Sequence, residues 1–209
     1  MAGLPAKQVE LRVFAAKFVT TIRLAAVRSV LILLVAVYGV ATSSSVGIAG
    51  VPRAYAGIVV DAKSGKVFYA RAADSLRYPA SVTKVMTLYI LFQELEAGRL
   101  TLKSKLKVSK HAAAAVPTKL GLKAGSTISV KDAIKAVVTL SANDIARTIA
   151  ENISGSESEF AARMTKTAHA LGMSRTTYFN ASGLPDSRQT TTVRDQARLG
   201  VAVYQHFPK

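Results

Sequence analysis

Pro79-Ala80-Ser81-Val82-Thr83-Lys84-Val85-Met86-Thr87-Leu88-Tyr89-Ile90-Leu91-Phe92 is the stretch on which the reading of this chain turns. Proline suits the first turn of a helix, where its missing N–H leaves no hydrogen bond unmade. The run from Val85 to Phe92 is apolar on every side, as in helices buried within a domain. The pattern predicts a central helix from Ser81 to about Ala97, stopped at Gly98. Ser81 and Lys84 are then three residues apart, on one helical face and about 4.5 Å apart along the axis. Burial disfavours the ammonium form of a lysine, and a neutral amine beside a hydroxyl can take its proton and make a nucleophile. Read alone, the tetrad also admits a plainer meaning: Ser81 as a helix-capping residue and Lys84 as a solvated surface side chain.

Upstream, Tyr55 to Ala62 is β-rich, Lys63-Ser64-Gly65 is a turn signal, and Lys66 to Ala70 is β-prone again, which predicts a hairpin. Downstream, Pro117, Gly121 and Gly125 break the texture into loops and small helices or ribbons. Ser129-Val-Lys-Asp132 reads as a capping box ahead of Ala133, Ile134, Val137 and Val138 on one helical face. Ser141-Ala142-Asn143 interrupts that helix. Ile145, Ile149 and Ile153 then mark a second helix ending at Gly155. Ser156 to Glu159 caps a third, which ends near Gly172, and Thr192 to Asp195 caps a last one reaching towards His206. A two-stranded sheet is marginal by itself, so the predicted α+β arrangement, an antiparallel sheet with a helical lobe, is short of strands.

The 209 residues suffice for one domain of ordinary size. No cysteine is present, which excludes disulfides, thiolate metal sites and cysteine catalysis. His111, His169 and His206 lie far apart, with no metal-ligand spacing among them, so neither a metal nor any other cofactor is expected. Lys7, Arg12, Lys17, Arg23 and Arg28 precede a 13-residue uncharged core, Ser29 to Ala41, and small residues follow. Residues 1–49 therefore read as a signal peptide or export segment, cleaved after Ala41 or Ala49, with an uncleaved anchor as the alternative. The chain is accordingly expected to be exported and to act at the cell envelope. Of the 28 Lys+Arg and 12 Asp+Glu, five basic residues and Glu10 fall before residue 50, leaving 23 against 11. Eight lysines lie between Lys103 and Lys135 with one acid, Asp132. Such a face attracts anions at a distance, and peripheral contact with a membrane or anionic cell wall is left open. Nothing there resembles a nucleic-acid motif.

Ser141-Ala142-Asn143 can turn a hydroxyl and a carboxamide into one cleft, although Ser141 followed by Asp144 also fits a simple capping box. Taken together with their flanks, the two motifs are specific. Tyr78-Pro-Ala-Ser-Val-Thr-Lys-Val-Met-Thr87 resembles the D-alanyl-D-alanine carboxypeptidases, the low-molecular-mass penicillin-binding proteins of the bacterial cell wall. The likeness extends upstream through Tyr55–Gly65. Downstream it takes in Pro117-Thr-Lys-Leu-Gly-Leu-Lys123, Leu140-Ser-Ala-Asn-Asp144 and Asn180-Ala-Ser-Gly-Leu-Pro185.

That resemblance implies the α/β sandwich of the penicillin-binding and β-lactamase type, and a serine peptidase acting on stem peptides that end in D-Ala-D-Ala. It implies Ser81 as nucleophile, Lys84 as general base, Ser141 as proton shuttle and Asn143 as the residue orienting substrate, with β-lactams acylating the same serine. The family's third motif, Lys-Thr-Gly on a sheet strand, does not occur after Asn143; Lys166-Thr-Ala168 is the nearest likeness and falls in a helical pattern. The expectation is therefore that residues 50–209 are the N-terminal part of a catalytic domain without its C-terminal strands, low in turnover and in stability. Two other readings stand beside it. A class A β-lactamase would need a deacylating glutamate on a loop, and Glu151, Glu157 and Glu159 all fall in or beside helical stretches. A non-catalytic envelope protein could bind penicillin or wall peptide without turning it over.

Overall fold

The computed structural model describes residues 55–208; the export segment expected over residues 1–49 lies outside them. Strands β1 (Gly57–Val60) and β2 (Val67–Arg71) form the expected antiparallel hairpin, with Val59 opposite Tyr69 and an irregularity between Val59 and Val60. Its turn is held by Asp61, whose carboxylate accepts from both the amide and the hydroxyl of Ser64. A 3₁₀ turn, Ala80–Val82, leads directly into helix α1, Thr83–Glu96. Beyond it come β3 (Lys105–Lys107), the short helix α2 (Lys110–Ala113) and β4 (Thr127–Ser129). Four helices complete the described chain: α3 (Val130–Leu140), α4 (Asn143–Ser154), α5 (Glu157–Ala170) and α6 (Val193–His206).

The capping chemistry read from the sequence sets three of these helix starts. Ser129 accepts from the Asp132 amide, Ser156 from Glu159 and Thr192 from Asp195, each satisfying a backbone N–H that a helix start leaves unpaired. Gly98, Gly155 and Gly172 follow or close α1, α4 and α5 with positive φ, where a side chain is disfavoured.

Helix α1 runs through the centre. Met86, Ile90 and Leu91 are fully buried, and they share one apolar core with Ile145 and Ile149 of α4, Phe160 and Met164 of α5 and Leu199 of α6. Burying each such side chain contributes about 1.5–3 kcal/mol. Buried Glu94 ties the end of α1 to α5 by pairing with Arg99 and with Arg163, both at 2.5 Å. Two two-stranded sheets are present among the described residues, β1–β2 and β3–β4. The hairpin exposes Val59, Val67, Phe68 and Tyr69, in keeping with the expected shortage of strands.

The structure corrects two local readings. The α-helix opens at Thr83, and Ser81 stands in the 3₁₀ turn before it without acting as a side-chain cap. Ala80, with a φ of 46°, lies outside the helical region and cannot belong to the regular α-helix. The second correction concerns Ser141, which does not form a capping box with Asp144. It closes α3 in a left-handed conformation, φ 57°, and Ala142 is the N-cap of α4.

Candidate active site

Lys84 is the buried cation around which the candidate site is built. It lies in the first turn of α1 and is only 3% exposed, between the apolar core and the loop that follows α5. Its Nζ donates to the carbonyl oxygen of Ser182 at 2.5 Å. Burial lowers its pKa from the usual 10.5 to about 8, because an ammonium loses more hydration than an amine when water is removed. Near pH 8 the group is therefore half neutral, as a proton acceptor must be. Ser81, one turn earlier, is exposed. A buried amine and an accessible hydroxyl thus occupy the same short segment. Among the described residues, no hydrogen bond joins Lys84 to Ser81 or Ser141.

The loop Asn180–Gly183 holds Lys84 in place. Asn180 Oδ1 accepts from the amides of Ser182 and Gly183 and from the Ser182 hydroxyl, at 3.2, 2.7 and 3.2 Å. That asparagine turn directs successive carbonyls at α1: Ala181 O accepts from Thr87 Oγ1 at 2.7 Å, and Ser182 O accepts from Lys84. Gln189 fastens the base of the loop. Its Oε1 accepts from the Phe179 and Asn180 amides and its Nε2 donates to Thr83 Oγ1. Gly183 packs directly on Ala80, with φ +83° and no room for a side chain. The sequence reading placed this segment within the family likeness but gave it no role. The available signal was Asn180 three residues before Gly183, a spacing suited to an Asx turn closed by a positive-φ glycine.

Ser141 and Asn143 sit where α3 gives way to α4. Ser141 is half-buried in its left-handed conformation, a backbone state that costs a non-glycine residue about 1–3 kcal/mol and clusters at functional sites. Asn143 is buried; its amide donates to Thr118 O at 2.8 Å and its Nδ2 to Val116 O at 3.1 Å. Asp144, fully buried, accepts from the Leu120 and Gly121 amides at 2.9 and 2.8 Å. The segment Val116–Gly121 is thus moulded onto the Ser141–Asp144 corner. A cavity of about 360 Å³ opens beside Ala80, with Tyr78, Pro79, Gly183, Leu184 and Asp186 among its lining residues. Among the described residues no cluster of His, Asp and Glu could hold a metal ion, and no helix is long and apolar enough to cross a membrane.

The sequence profile of the D-alanyl-D-alanine carboxypeptidases matches residues 46–209. The chain belongs to the D-alanyl-D-alanine carboxypeptidase family. Among relatives of this family, the chain is 37% identical over 162 residues to D-alanyl-D-alanine carboxypeptidase DacC of Escherichia coli and 33% identical over 140 residues to DacF of Bacillus subtilis. Those matches cover 75% and 67% of this chain but 40% and 36% of the relatives, so the chain spans well under half of their length. The crystal structure of the carboxypeptidase DacD from Francisella tularensis superposes with a TM-score of 0.72 at 35% identity, covering 74% of this chain and 37% of that one. Penicillin binding protein 5 of Haemophilus influenzae gives 0.71 at 29% identity over 74% and 46% of the two chains. The α+β fold of this carboxypeptidase family, with an incomplete sheet among the described residues, is thereby established for this chain.

Proposed function

We propose that this chain carries the acylating machinery of a serine-type D-Ala-D-Ala carboxypeptidase, which removes the terminal D-alanine from peptidoglycan stem peptides. The observation that carries this reading is the buried Lys84 with its pKa lowered to about 8, one turn beyond the exposed Ser81. Ser81 Oγ attacks the carbonyl carbon between the two D-alanines as its proton passes to Lys84 Nζ. The C–N bond then breaks, the proton reaches the departing amine by way of the Ser141 hydroxyl, and the acyl group remains on Ser81. Water later hydrolyses that ester. Asn143 orients the substrate amide, and the backbone N–H of Ser81 supplies an oxyanion donor, a contribution worth about 3–4 kcal/mol in comparable sites. β-Lactams acylate Ser81 as substrate mimics.

Export belongs to the same reading: residues 1–49 direct the chain to the envelope and residues 50–209 form the N-terminal part of the catalytic domain. The lysines between Lys103 and Lys135 make no ion pair among the described residues, where every ion pair formed uses arginine or histidine. This face suits peripheral contact with anionic wall or lipid.

The test is release of D-alanine from a peptide ending in D-Ala-D-Ala, measured for the chain and for Ser81→Ala in parallel. Acylation predicts at least one equivalent released by the chain and none by the variant. Release that persists in Ser81→Ala, or none from either protein, overturns the assignment.

A further inference from the structure

A charged cluster lies behind the loop that holds Lys84. Glu157, in the first turn of α5, reaches that loop directly: its Oε1 accepts from the Ala181 amide at 3.0 Å. Its other oxygen faces Arg147 Nε of α4 at 3.1 Å and His111 Nε2 of α2 at 3.7 Å. His111 Nδ1 is itself 2.7 Å from Glu151 Oε1 of α4, and Arg147 donates to the His111 carbonyl at 3.3 Å. Arg147, His111 and Glu151 are thus the titratable and charged groups gathered around Glu157. The Glu157 side chain is only 11% exposed and Arg147 18%. Such a pair is screened far less than a surface ion pair. Nothing in the proposed chemistry uses these residues.

The geometry runs in one line from this cluster to the amine. Glu157 grips the N–H of Ala181, whose carbonyl accepts from Thr87. The next carbonyl, Ser182 O, receives Lys84 Nζ. Ala181 and Ser182 are both essentially inaccessible to water. The loop is consequently clamped from two sides, by α1 through its carbonyls and by α5 through its amide. If the outer clamp is released, the Ala181–Ser182 segment loses its hold from α5 and keeps only its contacts with α1, its internal Asn180 turn and the Gln189 anchor at its base.

We propose that Glu157, braced by Arg147 and His111, is a positioning residue for Lys84, acting through the Ala181 amide and the Ser182 carbonyl. The inference rests on the reading of Lys84 as the general base. A loosened loop admits water to the amine, and a better-hydrated lysine titrates higher.

The test measures the titration of Lys84 itself, which needs no turnover. Competitive acetylation of the whole chain across pH, read peptide by peptide by mass spectrometry, gives the midpoint for Lys84. The wild-type midpoint is expected near 8. Glu157→Ala should raise it by about one unit or more towards the ordinary lysine value. Glu157→Gln, which keeps an oxygen for the Ala181 amide, should restore most of the shift. A purely structural role would lower the melting temperature and leave the midpoint where it was. Glu157→Ala with a native circular-dichroism spectrum and the wild-type midpoint overturns the inference. Should that variant not fold, Glu157→Asp, one methylene too short to reach the loop, carries the same expectation and the same refutation. A wild-type midpoint near 10.5 would instead refute Lys84 as base, and this inference with it, whereas a wild-type midpoint near 8 without acylation of Ser81 would fault only the proposed reaction.

Discussion

Gly183→Ala is the sharpest perturbation the site offers. Gly183 has φ +83°, and a Cβ built there would stand 1.8 Å from the carbonyl oxygen of Ala80, 2.4 Å from its carbon and 3.0 Å from Thr83 Oγ1. The left-handed backbone alone costs an alanine about 1–2 kcal/mol. The contact falls on main chain, so no side chain can swing aside, and the two segments must separate by more than an ångström. That displacement draws the Ala181 and Ser182 carbonyls away from Thr87 and Lys84. A neutral hydrogen bond contributes about 1 kcal/mol and one from a charged donor about 1.5–3 kcal/mol. The combined loss is about 3.5–6 kcal/mol, at the upper end for a single substitution. Gly98→Ala is the matched control, with φ +69° and nothing within 4 Å of the added carbon; it carries the conformational cost alone. Urea unfolding of both variants, compared with the parent chain at constant m-value, measures the difference. Equal losses for Gly183→Ala and Gly98→Ala would refute the close approach, and with it the account of how Lys84 is held.

Other consequences concern charge. The pKa of Lys84 is about 8 in the folded chain against the usual 10.5, so between those values the unfolded chain binds more protons and stability rises with pH. Relative to Lys84→Met, the parent should gain up to about 3 kcal/mol on going from pH 7.5 to 10.5 in urea titrations; parallel pH profiles would contradict the burial. Glu94 behaves in the opposite sense. Hydrogen bonding from Arg99, then from Arg163, holds its carboxyl down near 2, so its stabilisation is present above about pH 4.5 and is lost as pH falls towards 2. Glu94→Gln should remove that acid-sensitive part, up to about 3 kcal/mol, and an unaltered acid transition would show that the pairing does not matter. On the lysine-rich face, replacing Lys105, Lys107 and Lys131 by glutamate should weaken binding to phosphatidylglycerol vesicles at least about 100-fold at low salt, at about 1 kcal/mol per lysine. Undiminished binding would exclude that face.

The parts legible in the sequence are those decided within one turn of chain. Ser129 with Asp132, Ser156 with Glu159 and Thr192 with Asp195 were readable because donor and acceptor are three residues apart. The burial of Met86, Ile90 and Leu91 followed from an unbroken apolar run. What stayed hidden depends on distant partners. Ser81 falls in a 3₁₀ turn, beside a positive-φ Ala80 against which Gly183 packs from a hundred residues away. Asp144 looked like half of a capping box, yet its carboxylate serves the amides of Leu120 and Gly121. Lys84 could be read as a buried amine, but not its partner, since a backbone carbonyl leaves no residue-specific mark and Ser182 lies 98 positions on. Residue types pointed to the proposed chemistry; the contacts that hold Lys84 arise only from tertiary packing.

The central claim is that a hydroxyl on an accessible turn is activated by an amine sequestered one turn later. Mass spectrometry of the chain after exposure to benzylpenicillin, with the adduct mapped by proteolysis, tests it most directly. The account predicts one penicilloyl group per chain, on Ser81, formed with a pH midpoint near 8 and abolished in Lys84→Met. An adduct on any other residue, or undiminished labelling of Ser81 without Lys84, would contradict it.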